Sequence, residues 1–286
     1  MLDATAAHAP WSDERAASRR GSLVVVGVGI KLVAHATAET VACLERAEKV
    51  FYLVTDPAAE AWIKRLNPSA ETLYDCYEDG KPREKSYREM NDRILGAVRD
   101  GLHVCVAFYG HPGVVARTPH ETIRQARREG FPAQMLPGIS AEACLFADLG
   151  VDLSNHGCQS FEATDFLAAR RRFDPTSALI LWQVGVLGEP SIRDDMSCRP
   201  ERLRVLIAFL RSSYPARHPV VLYEAAQFPN CDPRIKRVRL ERLTRVIINP
   251  MTTLYLPPRP PRRDDPKIMR WFYEPEPVAL KPPRTV

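Results

Sequence analysis

Residues 22–30 read SLVVVGVGI. A run this dense in β-branched residues shows no alternation of apolar and polar positions. It fits a strand buried on both faces, as in a parallel sheet covered by helices. The glycines that end it give a tight loop where the strand stops. The pattern recurs. KVFYLVT and LHVCVAFYG read as further strands, and PAQMLPGIS as a strand and turn. Between them lie helical stretches: TAETVACLERAEKV, with Val41, Leu44 and Ala47 at helical spacing, PAAEAWIKRL opening on Pro57, REKSYREMNDRILGAVRDG, TPHETIRQARREG and AEACLFADLG. Tyr87, Met90, Ile94, Leu95 and Val98 share one helical face that closes on Gly101, and Thr118 is the expected N-cap of the helix containing Glu121. Strands alternating with helices of this length predict an α/β fold with a parallel sheet.

The second half differs. TSALILWQVG, HPVVLYEAA, RIKRVRLERL and TTLYLPP read as strands, with one clear helix in ERLRVLIAFLRSSY. We expect a polar N-terminal tail over 1–20, a parallel-sheet α/β lobe over 21–164 and a mixed-sheet α/β lobe over 165–257. A Pro-rich arm is expected over 258–286, where prolines oppose regular structure and favour an extended course. The aromatics Trp271, Phe272 and Tyr273 favour docking of the arm on a partner subunit over a free tail, because adjacent aromatics are costly to leave in water.

Composition narrows the functional classes. The formal net charge of +5 across 286 residues is a weak case for nucleic acid, and no aromatic-interleaved basic stripe strengthens it. No apolar run approaches a membrane span and no signal-peptide core is present, so a soluble, cytoplasmic protein is expected. The seven cysteines form no C-x-x-C pair and the histidines do not cluster; neither a disulfide framework nor a metal site is expected. The basic run ARRRF at 169–173 reads most simply as a solvated face, with an acidic leader peptide as the alternative occupant.

Three loops follow predicted strands at their carboxyl ends: GVGIK (27–31), YGHPGV (109–114) and PGISAE (137–142). Ligands of open parallel sheets bind at those ends, and glycine lets them approach the backbone. GVGIK alone lacks the third glycine of a dinucleotide fingerprint. The three loops together point to a nucleotide-like ligand.

The motifs VVVGVGI, FYGHPGV, LPGISAEACLFADLG, VVLYEAA and MTTLYLPP, in this order, resemble the tetrapyrrole methylase superfamily over about residues 21–258. That resemblance implies S-adenosylmethionine bound between two α/β lobes, S-adenosylhomocysteine as product, no metal, and a homodimer. Within the superfamily the chain looks most like the borosin peptide α-N-methyltransferases, which methylate backbone amides of a ribosomal peptide. VFYLVTDPAAEAWI, YGHPGV and PGISAEACLFADLG carry the likeness. So does the spacing of Tyr74, Tyr77, Arg83 and Tyr87 in LYDCYEDGKPREKSY. Two departures stand out. Tetrapyrrole-modifying members carry Pro-Gly-Asp after the first glycine pair, where this chain reads GIKLVAH; this weakens a tetrapyrrole substrate. The sequence given ends PEPVALKPPRTV, unlike the apolar core peptide of fused borosins, so the expected substrate is a separate precursor polypeptide.

The resemblance assigns catalytic roles to Arg83 and Tyr87, with Tyr74 and Tyr77 positioning the peptide. The chemistry agrees. An amide nitrogen is a poor nucleophile because its lone pair is delocalised. A base must take its proton while a cation stabilises charge on the carbonyl oxygen. Arginine is permanently charged, and residues four apart on a helix meet. Read without the family, Tyr87 is a core aromatic beside Met90 and Ile94, Arg83 a solvated surface residue and His111 a turn residue. The resemblance further implies cofactor contacts at Tyr109, His111, Val114, Ser140, Ala141, Gln183, Ala225, Thr252 and Thr253. The competing functions are a small-molecule, tetrapyrrole-like methyltransferase and a non-catalytic module that binds the cofactor or a peptide.

Overall fold

The computed structural model describes residues 21–54, 56–193, 198–260 and 265–273. The expected N-terminal tail and most of the Pro-rich arm lie outside the described residues. In chain order the elements are Ser22–Gly27 (β1), Ala38–Arg46 (α1), Lys49–Leu53 (β2), Pro57–Leu66 (α2), Glu71–Thr72 (β3), Arg83–Arg99 (α3), His103–Phe108 (β4), Arg117–Arg128 (α4), Ala133–Met135 (β5) and Ala141–Leu149 (α5). There follow Leu153–His156 (α6), Cys158–Glu162 (β6), Ala163–Ala168 (α7), Ala178–Trp182 (β7), Pro200–Leu210 (α8), Pro219–Glu224 (β8), Arg234–Arg239 (β9), Thr253–Leu256 (β10) and Pro266–Tyr273 (α9).

The first sheet is all parallel, in the order β3-β2-β4-β1-β5. Both faces are covered, which is why its strands read as unbroken apolar runs. Val24, Val26, Val50 and Cys105 pack against Cys43 and Leu44 of α1 and Trp62 and Ile63 of α2. Leu23, Val25, Phe51, Val104 and Val106 face Met90, Ile94 and Val98 of α3 and Ile123 of α4. Full burial of each such side chain contributes roughly 1.5–3 kcal/mol. Local chemistry starts the helices. Thr37 caps α1, Asp56 caps α2 by accepting the amides of Ala58 and Ala59, and Ser140 caps α5 through the Ala143 amide. The α4 cap differs from expectation. The chain enters at Ala116 without a side-chain cap, because Thr118 is the second residue of the helix and is buried, its hydroxyl against the Met90 sulfur at 3.9 Å.

The second sheet is mixed, in the order β6-β7-β10-β8-β9. One face packs on α7, α8 and the 3-10 turn 240–245, around Phe166, whose ring touches Phe161, Phe173 and Phe209. The other face is covered by Cys144 and Leu145 of α5 and by Ile30 from the loop after β1. Tyr223 of β8 donates to Asp148 of α5 at 2.7 Å. The last helix of the first lobe thus roofs the second sheet.

Two expectations are corrected. The second sheet starts at Cys158, before residue 165, because β6 pairs in parallel with β7. Its sequence CQSFE is polar and half-buried and carries no strand pattern. Within the expected extended arm, residues 266–273 form α9: Pro266 stands at its first position, where a missing amide hydrogen is no loss. Among the described residues no helix is long and apolar enough to cross a membrane.

Candidate functional site

The strands β4, β1 and β5 are neighbours, so the loops that leave their carboxyl ends meet. Their backbones touch. A β-carbon on Gly27 would lie 2.3 Å from the Gly110 carbonyl oxygen and 3.0 Å from the Gly138 α-carbon. Gly29 and Gly110 exchange amide hydrogen bonds, Gly29 N–H to Gly110 at 3.2 Å and Gly110 N–H to Gly29 at 2.9 Å. His35 folds the first loop back, its Nδ1 accepting the Lys31 amide at 3.1 Å and the Ile30 amide at 3.3 Å. Burial, then the Lys31 charge, lowers its pKa, which keeps that nitrogen an acceptor. Val33 and Val115, one in each of the first two loops, adopt positive φ angles of 61° and 51°. This is costly for β-branched residues, and strain of that kind gathers at ligand-binding turns.

Beside these loops, between the lobes, a cavity of about 360 Å³ is lined by Tyr109 and Ala141 from the first lobe and by Glu224, Ala225, Gln227, Asn249, Met251 and Thr253 from the second. Tyr109 and Gln227 also border a smaller hollow against Val28, Ile30 and Trp62. The Leu32 amide donates to the Gln227 carbonyl at 3.0 Å, tying the lobes at this point. Burial pushes the Tyr109 hydroxyl up to about 12, with Cys144 adding to the rise and a hydrogen bond to Gln227 opposing it; it is a neutral phenol. On the far wall Glu224 accepts from Arg234 and from the Thr252 hydroxyl.

The cofactor residues expected from sequence therefore divide. Tyr109, Ala141, Ala225 and Thr253 line this one cavity. Thr252 is buried behind it and holds Glu224. Ser140 caps α5 next to Ala141. His111 bends onto its own turn, accepting the Gly113 amide at 2.9 Å, and Val114 follows it, partly exposed. Gln183 leaves β7 with a positive φ of 57°; neither it nor His111 nor Val114 borders the cavity. Glu224, Gln227, Arg234, Asn249 and Met251 line the cavity without having been singled out. Gln227 was within reach of the sequence, two residues beyond Ala225 in YEAAQ, whereas Arg234 opens strand β9 and Asn249 arrives from a loop, neither within a motif.

A second cluster stands at the same end of the sheet. Leu73, just past β3, donates its amide to Tyr52 at 2.8 Å, and a 3-10 turn at 74–76 then carries the chain off the sheet edge. The rings of Tyr74 and Tyr77 meet edge to face, centroids 5.6 Å apart. Burial raises the Tyr77 hydroxyl above its ordinary value, Tyr87 and Tyr74 add to the rise, and Arg83 opposes it. All four residues expected from sequence are thus electrostatic neighbours. Tyr87 is half-buried against the same core as Met90 and Ile94, and Arg83 is half-buried.

Two cations brace this turn against α3. Lys81 donates to the Cys76 carbonyl at 2.9 Å and pairs with Glu89. Arg93 donates to the Thr72 carbonyl at 3.0 Å and to both Asp75 oxygens. The second lobe holds the same segment by backbone bonds: Gly80 N–H to Ile192 at 2.9 Å, Ile192 N–H to Lys81 at 3.0 Å and Arg83 N–H to Pro190 at 3.0 Å.

The family model of the tetrapyrrole (corrin/porphyrin) methylases matches residues 22–244. The chain belongs to that family. Among sequenced relatives of this chain, the methyltransferase and ribosomally synthesized cyclic-peptide precursor of the gymnopeptides in Gymnopus fusipes is 41% identical over 254 residues, covering 87% of this chain and 60% of the relative. The corresponding omphalotin A precursor of Omphalotus olearius is 39% identical over 257 residues, 88% of this chain and 61% of the relative. A type I borosin cyclic-peptide precursor of Coprinopsis marcescibilis is 40% identical over 254 residues, 87% of this chain and 65% of the relative. The chain thus spans somewhat over half the length of these relatives. The fold matches that of uroporphyrin-III C-methyltransferase from Thermus thermophilus, at TM-score 0.60 and 20% identity, over 84% of this chain and 93% of that one. A structure of that enzyme complexed with S-adenosyl homocysteine aligns at TM-score 0.55 and 20% identity, over 83% of this chain and 92% of that one.

The glycine contact makes a direct prediction for this chain. Gly27→Ala forces a methyl group into the Gly110 backbone and should destabilise the protein by more than about 1 kcal/mol, as overpacking does. Gly96→Ala, in a helix with nothing within 4 Å of the added carbon, should be neutral or stabilising by up to about 1 kcal/mol. Urea unfolding of the two variants checks this; equal stabilities would show that the three loops do not depend on their close approach.

Proposed function

We propose that the chain is an S-adenosylmethionine-dependent methyltransferase acting on backbone amide nitrogens of a ribosomal precursor peptide; the names of its relatives join a methyltransferase to a ribosomally synthesized cyclic-peptide precursor. The observation that carries this reading is the placement of Tyr74, Tyr77, Arg83 and Tyr87 beside the carboxyl end of the sheet whose glycine loops form the interlobe cavity. A tightly apposed glycine backbone beside it, a polar far wall at Glu224, Arg234 and Asn249, and a volume of about 360 Å³ fit an adenosine-containing ligand, which Tyr109, Ala141, Ala225 and Thr253 would hold. His111, Val114, Ser140 and Gln183 complete the proposed set from the adjoining turns. When bound, S-adenosylmethionine supplies an electrophilic methyl group.

The remaining chemistry belongs to the chain. The Tyr87 oxygen, as its phenolate, would take the amide proton and become the phenol, and Arg83, one helical turn earlier, would stabilise the negative charge gathering on the amide oxygen. Tyr77 has the wrong acidity for a base: burial outweighs Arg83 and keeps it protonated. It serves with Tyr74 to position the peptide and exclude water. Lys81 and Arg93 hold the turn in place, so that little reorganisation is needed at reaction.

The substrate polypeptide is presented in trans. A separately supplied peptide, assayed beside the same peptide fused to the chain, tests this. The chain acts as a cytoplasmic homodimer. Trp271, Phe272 and Tyr273 of α9, with 39%, 63% and 80% of their surfaces exposed, offer an apolar face for the second subunit; a monomer in sedimentation would remove this part of the reading.

Tyr87→Phe keeps the ring and its packing. It should leave folding and S-adenosylhomocysteine affinity by calorimetry near normal, while methyl addition to peptide falls by roughly 10²–10⁴-fold, the usual contribution of general-base catalysis. Arg83→Lys should fail as well, because an ammonium does not reproduce a planar fork. Wild-type turnover by Tyr87→Phe would make Tyr87 a core aromatic, and absence of S-adenosylhomocysteine binding to the wild type would remove the cofactor.

A further inference from the structure

Strand β9 closes one edge of the second sheet, and its sequence, RIKRVR, is the most basic element of the fold. The Leu240 amide donates to the His218 carbonyl at 2.9 Å. With the antiparallel register Pro219↔Arg239, Val220↔Val238 and onward to Glu224↔Arg234, alternation of hydrogen-bonded pairs turns the amides and carbonyls of 234, 236 and 238 toward β8. Those of Ile235, Arg237 and Arg239 point out from the sheet. Lys236, Arg237 and Arg239, with Arg242 and Arg245 in the following turn, are exposed. None of these five has an ion-pair partner among the described residues. The strand begins at Arg234, which lines the interlobe cavity.

We propose that β9 is a docking edge for an extended acidic peptide, which adds to the sheet as a sixth strand and ends at the mouth of the cavity. The outward amides and carbonyls supply main-chain hydrogen bonds, and side chains of the added strand alternate between faces as those of β9 do. Acidic residues across from Arg237 and Arg239 on one face, and from Lys236 on the other, complete the charges. Pairing β9 with β9 of a second copy does not fit the edge, since it would set the same five cations against each other. Assigning the peptide to the substrate polypeptide rests on the function proposed above; the docking itself does not.

The test uses the intact protein and a fluorescent peptide of alternating glutamate and valine, read by anisotropy. A glutamate–proline–proline peptide with the same number of glutamates is the control: proline falls at both strand parities, so in either register most of the amide hydrogens that would face β9 are missing. We expect the glutamate–valine peptide to bind, and the proline peptide to bind more than about tenfold more weakly. Arg237→Ala should weaken binding modestly. Arg237→Pro loses the same charge and one outward amide, leaves the β8 bonds intact, and should bind roughly three- to tenfold more weakly than Arg237→Ala, the range for one hydrogen bond. Circular dichroism and S-adenosylhomocysteine calorimetry check that the variant is folded; if it is not, the two-peptide comparison on the wild type decides. No binding, or equal binding of the two peptides, overturns the proposal, the latter leaving a surface that attracts any polyanion, nucleic acid included. None of these readouts needs methyl transfer, so failure here leaves the methyltransferase reading standing, and failure of that reading leaves the docking edge standing.

Discussion

The close approach of Gly27, Gly110 and Gly138 is the contact on which the rest of the molecule depends. Three adjacent parallel strands end there; Gly27 and Gly138 have no room for a β-carbon between the backbones, and Gly110 adopts a φ of +72° that favours glycine. Ile30, carried by the first loop, enters the core between α5 and the second sheet. Leu32 of the same loop bonds to Gln227 of the second lobe. The interlobe cavity therefore takes its shape from a packing constraint in the first lobe. The two β-branched residues held at positive φ, Val33 and Val115, sit in the loops that meet that constraint.

The Tyr–Arg turn is fixed by a different kind of force. Little of it is deeply buried, so packing alone would not hold it. Charge-assisted bonds from Lys81 and Arg93 to backbone carbonyls do the holding, and such bonds are about twice as strong as neutral ones. The backbone bonds from 80–83 to 190–192 then couple the turn to the second lobe. Arg83 is thus bonded to one lobe and begins a helix packed in the other.

Much of this was legible in the sequence, for physical reasons that differ by element. Strand β1 and helix α2 were readable because a doubly buried strand and a proline-started amphipathic helix leave strong patterns. Strand β6 was not: CQSFE is half-buried at a sheet edge, where neither alternation nor an apolar run is required. Thr118 looked like a cap but is buried against Met90, and tertiary packing decided the case. Helix α9 was masked by the prolines on either side of it. At the site, Tyr109, Ala141, Ala225 and Thr253 were found through motifs, whereas Glu224, Arg234 and Asn249 come together only through the folding of the second lobe. The bracing roles of Lys81 and Arg93 are likewise invisible to spacing, since Arg93 reaches back 18 residues to Asp75.

The most direct measurement locates the transferred methyl group. The protein is incubated with S-adenosylmethionine carrying a deuterated methyl group and with a separate apolar peptide rich in valine, isoleucine and glycine, in parallel with the same peptide fused to the C-terminus of the chain. Tandem mass spectrometry then assigns the label. The account predicts label on backbone amide nitrogens of the peptide in both arrangements. Label confined to the fused peptide would contradict presentation in trans; label on side chains, or on neither peptide while S-adenosylhomocysteine still binds, would contradict amide methylation itself.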